Sequence, residues 1–499
     1  MGMAETCIVE TKHGRVRGVV HNTICSWKGI PFAQPPVGAL RFCAPRPPDS
    51  WTGVRSAGEF GAPCVQLPFF GNIDAPIVGS EDCLTLNVWS PAQDGQRRPV
   101  LVWLHGGGWV MGTGAAYDGS LLAARGDVVV VTVNYRLGPW GFLHLQDFEG
   151  QQVADTANPG LLDIVAALRW VADNIAGFGG DPSNVTLFGQ SAGGMLVGTL
   201  LALPAARGLF HRAIALSGAA RNVRSREIGT RIATDLLRRV GLSPRDVNEL
   251  TKVPMTRLYR AAAEILTESV DGKLDVEPFL PVIDGQILPR HPTEALAAGA
   301  GADVPLLIVT CRDEMTIMVP ECPQVLTGKE AFIRRKLGEA KFEALAAEYR
   351  RVTDDGRDWR LELLGGTMFW IPAIRLAEAV AKAGRPAWMM RVDYRLSVPP
   401  FDKVGASHLD DVLLIFELFS NWGKTVAHDG TAEDKAVADN LQNLIFGFAR
   451  EGRPVSPRTP PWPTYTPSQR ATLIFDSSCR LEDDPLSGQR CAWDGIALH

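Results

Sequence analysis

Ser191 stands in Gly189-Gln190-Ser191-Ala192-Gly193, directly after the apolar run Val185-Thr186-Leu187-Phe188. A serine between glycines at the end of such a run has the form of a nucleophile elbow, a sharp strand-to-helix turn that lifts a hydroxyl into open space. The turn crowds the backbone on either side of the serine, and Gly189 and Gly193 remove the side chains that would clash. The residues that follow, Gly194 to Leu201, can run as a helix, whose N-terminus would favour negative charge developing at the serine. A serine hydroxyl is a poor nucleophile until a base removes its proton and an acid orients that base. The attack also creates an oxyanion that needs donors. His105-Gly106-Gly107-Gly108-Trp109 offers them, because glycines let backbone N–H groups turn inward unobstructed. Gly107 and Gly108, with the N–H of Ala192, are the expected oxyanion donors.

In this arrangement the acid and the histidine follow the serine in that order. His13, His21, His105 and His144 precede Ser191, and His211 lies too close behind it. His291 comes before the best acid candidate, and His499 is terminal. His408 and His428 remain, and His408 follows a late strand and a loop, where a base should hang over a sheet edge. The acid is expected at the end of Leu306-Leu307-Ile308-Val309-Thr310, where Asp313 and Glu314 both qualify. Spacing does not choose between them.

These groups need a frame that brings strand ends together. Apolar, β-branched runs at Val100–His105, Val128–Asn134, Val185–Phe188, Ala213–Leu216, Leu306–Thr310, Ala387–Tyr394 and Leu473–Phe475 read as strands, and Leu161–Ile175 reads as a helix. Their alternation predicts an α/β fold, with a mostly parallel central sheet flanked by helices. Val9 to Val20 reads as a hairpin turning at Lys12-His13-Gly14. The proline-rich stretch Gly29 to Gly38 reads as an ordered irregular segment. Helical spacing over Arg221–Leu266 and Ala331–Val380 marks insertions, at about 221–300 and 320–380, that would cap a single domain spanning residues 1–499.

The chain has 499 residues, 46% hydrophobic and 21% charged, and a net charge of −5, so it can bury a large core and presents no basic surface for nucleic acid. No stretch approaches the ~20 apolar residues of a membrane span. The N-terminus has neither the basic nor the apolar region of a signal peptide, which makes cytoplasmic the expectation. Nine cysteines without a Cys-x-x-Cys pair, and no His-x-x-x-His, argue against structural zinc, and the chemistry above calls for no metal or cofactor. Composition leaves the oligomeric state undetermined.

Several further segments resemble the type B carboxylesterase family of the α/β-hydrolase fold: Gly29-Ile30-Pro31-Phe32-Ala33 with Pro35-Pro36-Val37-Gly38; Glu81-Asp82-Cys83-Leu84-Thr85-Leu86-Asn87-Val88; the His105 glycine run; Asn134-Tyr135-Arg136-Leu137-Gly138; Gly160-Leu161-Leu162-Asp163; and Phe178-Gly179-Gly180-Asp181-Pro182. The resemblance covers roughly Val9 to Trp493 and implies a serine esterase acting on a small-molecule ester through an acyl-enzyme. It assigns the acid to Glu314 and the base to His408, and pairs Cys64 with Cys83 as the family's first disulfide, which a reducing cytosol would keep as thiols. This chain departs from the family at Met315, where a glycine is usual, and at Leu409 and Asp411, where glycine and glutamate are usual. Gln190 replaces a frequent glutamate, and the loop between Cys64 and Cys83 has Phe69 and Phe70 but no tryptophan for a choline cation. An uncharged ester of short to medium acyl chain is therefore expected, with Trp109, Gln190, Phe369 and Trp370 near the substrate and Trp140 either lining or packing. The same triad could serve amide, carbamate or thioester hydrolysis, or acyl transfer. A non-catalytic binding protein of this fold would have lost the nucleophile, which this chain keeps.

Overall fold

The computed structural model describes residues 6–68, 73, 76–91, 94–274, 276–301, 303–317, 323–353, 357–419 and 429–497. Among them thirteen strands form one sheet: β1 (Thr6–Thr11), β2 (Gly14–His21), β3 (Ile24–Pro31), β4 (Val54–Ser56), β5 (Thr85–Ser90), β6 (Arg98–Leu104), β7 (Val129–Val133), β8 (Gly180–Gln190), β9 (Arg212–Leu216), β10 (Leu306–Cys311), β11 (Ala387–Val392), β12 (Ala471–Phe475) and β13 (Arg480–Asp483). The centre runs parallel in the order β7-β6-β8-β9-β10-β11-β12. Its strands are buried on both faces, which is why they read as unbroken apolar runs rather than alternating ones. Five consecutive β-branched residues make β7, every one buried.

Antiparallel strands extend one side through β5, β3, β2 and β1, and β13 closes the other. The β1–β2 hairpin turns where Lys12-His13-Gly14 stands. Gly29–Pro31, read from sequence as irregular, instead completes β3. The register slips between Trp27 and Ile30, and Pro31 ends the strand, where a missing N–H costs least.

Helices cover both faces. Pro159–Asn174 and Ala192–Leu201 pack against β8. Residues 221–300 carry the helices Arg226–Arg239 and Met255–Val270, and residues 320–380 carry Pro323–Leu337, Glu339–Val352 and Trp359–Gly365. A π-turn, Gly366–Trp370, joins this last helix to Ile371–Lys382. The combined run Trp359–Lys382 is long and apolar enough to cross a membrane by length and composition, which the sequence reading did not anticipate. It is mostly buried in the protein, as a core helix is, and carries Arg360, Glu362, Arg375 and Glu378 along its length.

Candidate active site

The register of the parallel strands brings the site together. β8 aligns Gly189 with Leu104 of β6 and Gln190 with Leu216 of β9, so the elbow and the glycine run leave adjacent strands at the same level. Ser191 takes φ 56° and ψ −124°, and its N–H donates to the Leu216 carbonyl at 2.9 Å. A Cβ on Gly193 would lie 2.1 Å from the Leu104 carbonyl oxygen, so only glycine lets the following helix start this close to β6. The Ala192 N–H opens that helix, where no helical acceptor exists.

The glycine run turns sharply, with Gly107 at φ 109° and Gly108 at φ 62°. Among the described residues the N–H groups of Gly107, Gly108 and Ala192 donate to no protein acceptor. An added Cβ on Gly106 would stand 3.0 Å from the Ser191 Cβ, so the turn passes beside the serine. Two residues that the sequence reading left without a role hold it there. The Tyr135 hydroxyl donates to the His105 carbonyl at 2.7 Å, and the two rings stack at 4.5 Å. Burial pushes His105 down to about 4, so the ring is neutral. Arg136, next to Tyr135, is paired with Asp163 at 2.6 Å in the core. Tyr135 thus anchors the turn, and the Arg136–Asp163 pair fixes the segment that carries it.

Glu314 and His408 meet, both buried. Glu314 Oε2 lies 2.5 Å from His408 Nδ1, while Oε1 accepts the Cys311 N–H at 2.8 Å. The other ring nitrogen of His408, Nε2, is buried and has no hydrogen-bond partner among the described residues. Asp313, the rival acid, turns outward to the Ala406 N–H at 3.0 Å and to Arg357 at 2.6 Å. The rival base, His428, lies outside the described residues, as do Phe69 and Phe70.

The expected pocket residues divide. Phe369 packs its ring 4.5 Å from the His408 ring and is 1% exposed, so it confines the imidazole. Gln190 is buried, and its amide donates to the His408 carbonyl at 2.6 Å; it braces the histidine rather than facing substrate. A glutamate here could donate only when protonated. Trp370 lines a small cavity behind Glu314 with Arg391, its indole N–H buried and unpaired among the described residues. Trp109 is buried at φ 61° at the end of the oxyanion turn, and Trp140 is core, donating to Glu81 at 2.8 Å. Cys64 and Cys83 are free, buried thiols.

Beneath the triad lies Asp411, fully buried, accepting from the Ser217 hydroxyl at 3.2 Å. Burial, then the charge of Glu314, raises its carboxyl to about 7. The signal for it in the sequence was only its departure from the family pattern three residues after His408.

A serine raised on a strand-to-helix elbow over a helix-covered parallel sheet is the signature of the α/β-hydrolases, and this molecule is one of them. The carboxylesterase family model matches residues 5–493. The para-nitrobenzyl esterase of Bacillus subtilis (strain 168) is 39% identical, with 97% of each chain covered. Carboxylesterase 1D of Rattus norvegicus is 35% identical over 92% of this chain and 87% of its own. The crystal structure of a Geobacillus stearothermophilus carboxylesterase matches with TM-score 0.85 at 39% identity, covering 97% of this chain and 99% of that one. The chain belongs to the carboxylesterase family and is a serine carboxylic ester hydrolase.

Proposed function

We propose that Ser191 attacks the ester carbonyl while His408 Nε2 takes its proton, and that Glu314 fixes the Nδ1–H tautomer and stabilises the imidazolium. Gly107, Gly108 and Ala192 bind the oxyanion; one such donor is typically worth ~3 kcal/mol. His408 then returns the proton to the leaving alcohol, and water activated by the same nitrogen releases the acid from the acyl-enzyme. The observation that carries this reading is the buried His408, held on one side by Glu314 and, among the described residues, unpartnered on the other. The substrate is an uncharged ester of short to medium acyl chain. The helical segments at about 221–300 and 320–380 cap the site, and the enzyme works in the cytoplasm.

Initial rates on para-nitrophenyl esters from acetate to palmitate test this, with Ser191→Ala alongside. The expected result is turnover that peaks at short or medium chains and drops at least ~10⁴-fold in a folded variant. Near-normal turnover by that variant would refute the assignment.

A further inference from the structure

Asp313 does not touch His408, yet it grips the loop that carries it. The strand Leu306–Cys311 ends in a turn closed by the Thr316 N–H, which donates to the Asp313 carbonyl at 3.1 Å. The two carboxylates of this turn diverge. Glu314 goes inward to His408, while Asp313 meets Val404-Gly405-Ala406, the segment that leads through Ser407 into His408. Main chain and side chain hold that segment together. The Asp313 N–H donates to the Ala406 carbonyl at 2.8 Å, and Asp313 Oδ2 accepts the Ala406 N–H at 3.0 Å. One residue thus satisfies both backbone groups of Ala406, which is buried. Gly405 takes φ 77°, and a Cβ there would lie 2.3 Å from Asp313 Oδ2, so the loop comes down onto the carboxylate where no side chain intervenes. The Thr316 hydroxyl adds a further tie, 2.5 Å from the Val404 carbonyl oxygen and 2.6 Å from that of Asp313.

Asp313 has a second arm. Arg357 pairs with it at 2.6 Å and with Glu362 at 3.3 Å. Arg357 stands just before the helix Trp359–Gly365, which continues through the π-turn to Phe369, and the Phe369 ring rests on His408. The two arms differ in weight. The Arg357 side chain is 38% exposed, and ion pairs so open to water contribute little. The Ala406 N–H is buried, and losing its acceptor there is costly. The arm to Ala406 therefore decides.

The geometry points to Asp313 as a positioning residue for the base. This rests on Glu314 and His408 being the acid and base of the triad. Adjacent residues of one short turn hold two points of one loop, Asp313 at Ala406 and Glu314 at the His408 ring, while Gln190 holds the His408 carbonyl. Turn and loop then keep one relative placement, and the imidazole is fixed toward the serine. A base displaced by ~1 Å costs on the order of 10²-fold in rate. The task needs an acceptor oxygen and no charge, so the amide of an asparagine can perform it.

The test is kcat and KM on para-nitrophenyl butyrate for Asp313→Ala, Asp313→Asn, Arg357→Gln and Glu314→Gln, each shown to be folded by circular dichroism. Asp313→Ala should lose at least ~10-fold in kcat with KM changed less than about twofold, because the substrate contacts remain. Asp313→Asn should regain most of that loss, Arg357→Gln should change kcat less than about threefold, and Glu314→Gln should fall at least ~10³-fold. Thr316→Val removes the neighbouring tie to Val404 and carries the test if Asp313→Ala does not fold; its kcat should fall several-fold, again at unchanged KM. Folded Asp313→Ala with the parent's kcat overturns the positioning role, as does Thr316→Val with the parent's kcat where only that variant folds. Asp313→Asn as impaired as Asp313→Ala also overturns it. If Glu314→Gln is then still inactive, the triad stands and Asp313 acts through its charge; if Glu314→Gln is active, Asp313 is itself the acid and the triad reading falls too.

Discussion

Asp411 makes stability depend on pH in a way that one substitution should erase. The carboxylate sits at the start of the helix Asp410–Phe416, fully buried, between the Ser217 hydroxyl and the Val412 N–H. Burial, reinforced by Glu314, raises it from 3.8 to about 7. The folded protein therefore holds this proton more tightly than the unfolded chain does. Between about pH 4 and 7 the folded state binds more protons, so stability falls as pH rises through that window and levels off above it. Each tenfold change in proton affinity is about 1.4 kcal/mol, so the full penalty at alkaline pH is on the order of 4 kcal/mol, and more than half of it develops between pH 5 and 8. Asp411→Asn keeps the shape and removes the charge. Urea unfolding followed by tryptophan fluorescence, on both proteins at both pH values, measures the difference. The variant's stability relative to the parent should be greater at pH 8 than at pH 5 by about 2 to 3 kcal/mol, with groups common to both proteins cancelling. An equal difference at the two pH values would show that Asp411 is ionised throughout, and the reasoning from burial would be wrong.

Gln190→Leu leaves the His408 carbonyl buried without its donor. The expected cost is ~1–3 kcal/mol in stability, with a lower kcat/KM on para-nitrophenyl butyrate; unchanged kinetics would mean that the brace is not needed. Gly193→Ala drives a Cβ to 2.1 Å from the Leu104 carbonyl, where backbone must move. Overpacking of this kind costs ~1–3 kcal/mol or more, and a thermal melt should show it together with a loss of ester turnover of at least tenfold.

The central strands and the elbow were legible because each is a local pattern. A fully buried parallel strand has to be an unbroken apolar run, and a serine elbow has to have glycines two residues away on both sides. Chain order alone brought the base down to His408 or His428, but it left Asp313 and Glu314 open. The family resemblance pointed to Glu314, and in the fold Glu314 turns inward to His408 while Asp313 turns outward to Arg357. The bracing of the site was not legible. Gln190 reaches across 218 positions to the His408 carbonyl, and Tyr135 reaches 30 to His105. Such contacts follow from sheet register, which no short motif records. The π-turn was hidden for a different reason: its signal is a proline one position past the point where a regular helix would need a donor. A tryptophan near a motif can line a pocket or pack, and sequence left Trp140 open between the two; the structure has it in the core, with its indole on Glu81.

The backbone at Ser191 has a consequence for how such an enzyme decays. A residue other than glycine held at φ 56° costs ~1–3 kcal/mol, which the surrounding packing must absorb. Glycine at that position would relieve the strain and abolish the chemistry in the same step. The elbow is thus a place where losing function is thermodynamically downhill. Once selection for hydrolysis lapses in a lineage, a change of the nucleophile to glycine meets no strain barrier, and the fold can persist as a scaffold after its reaction has gone.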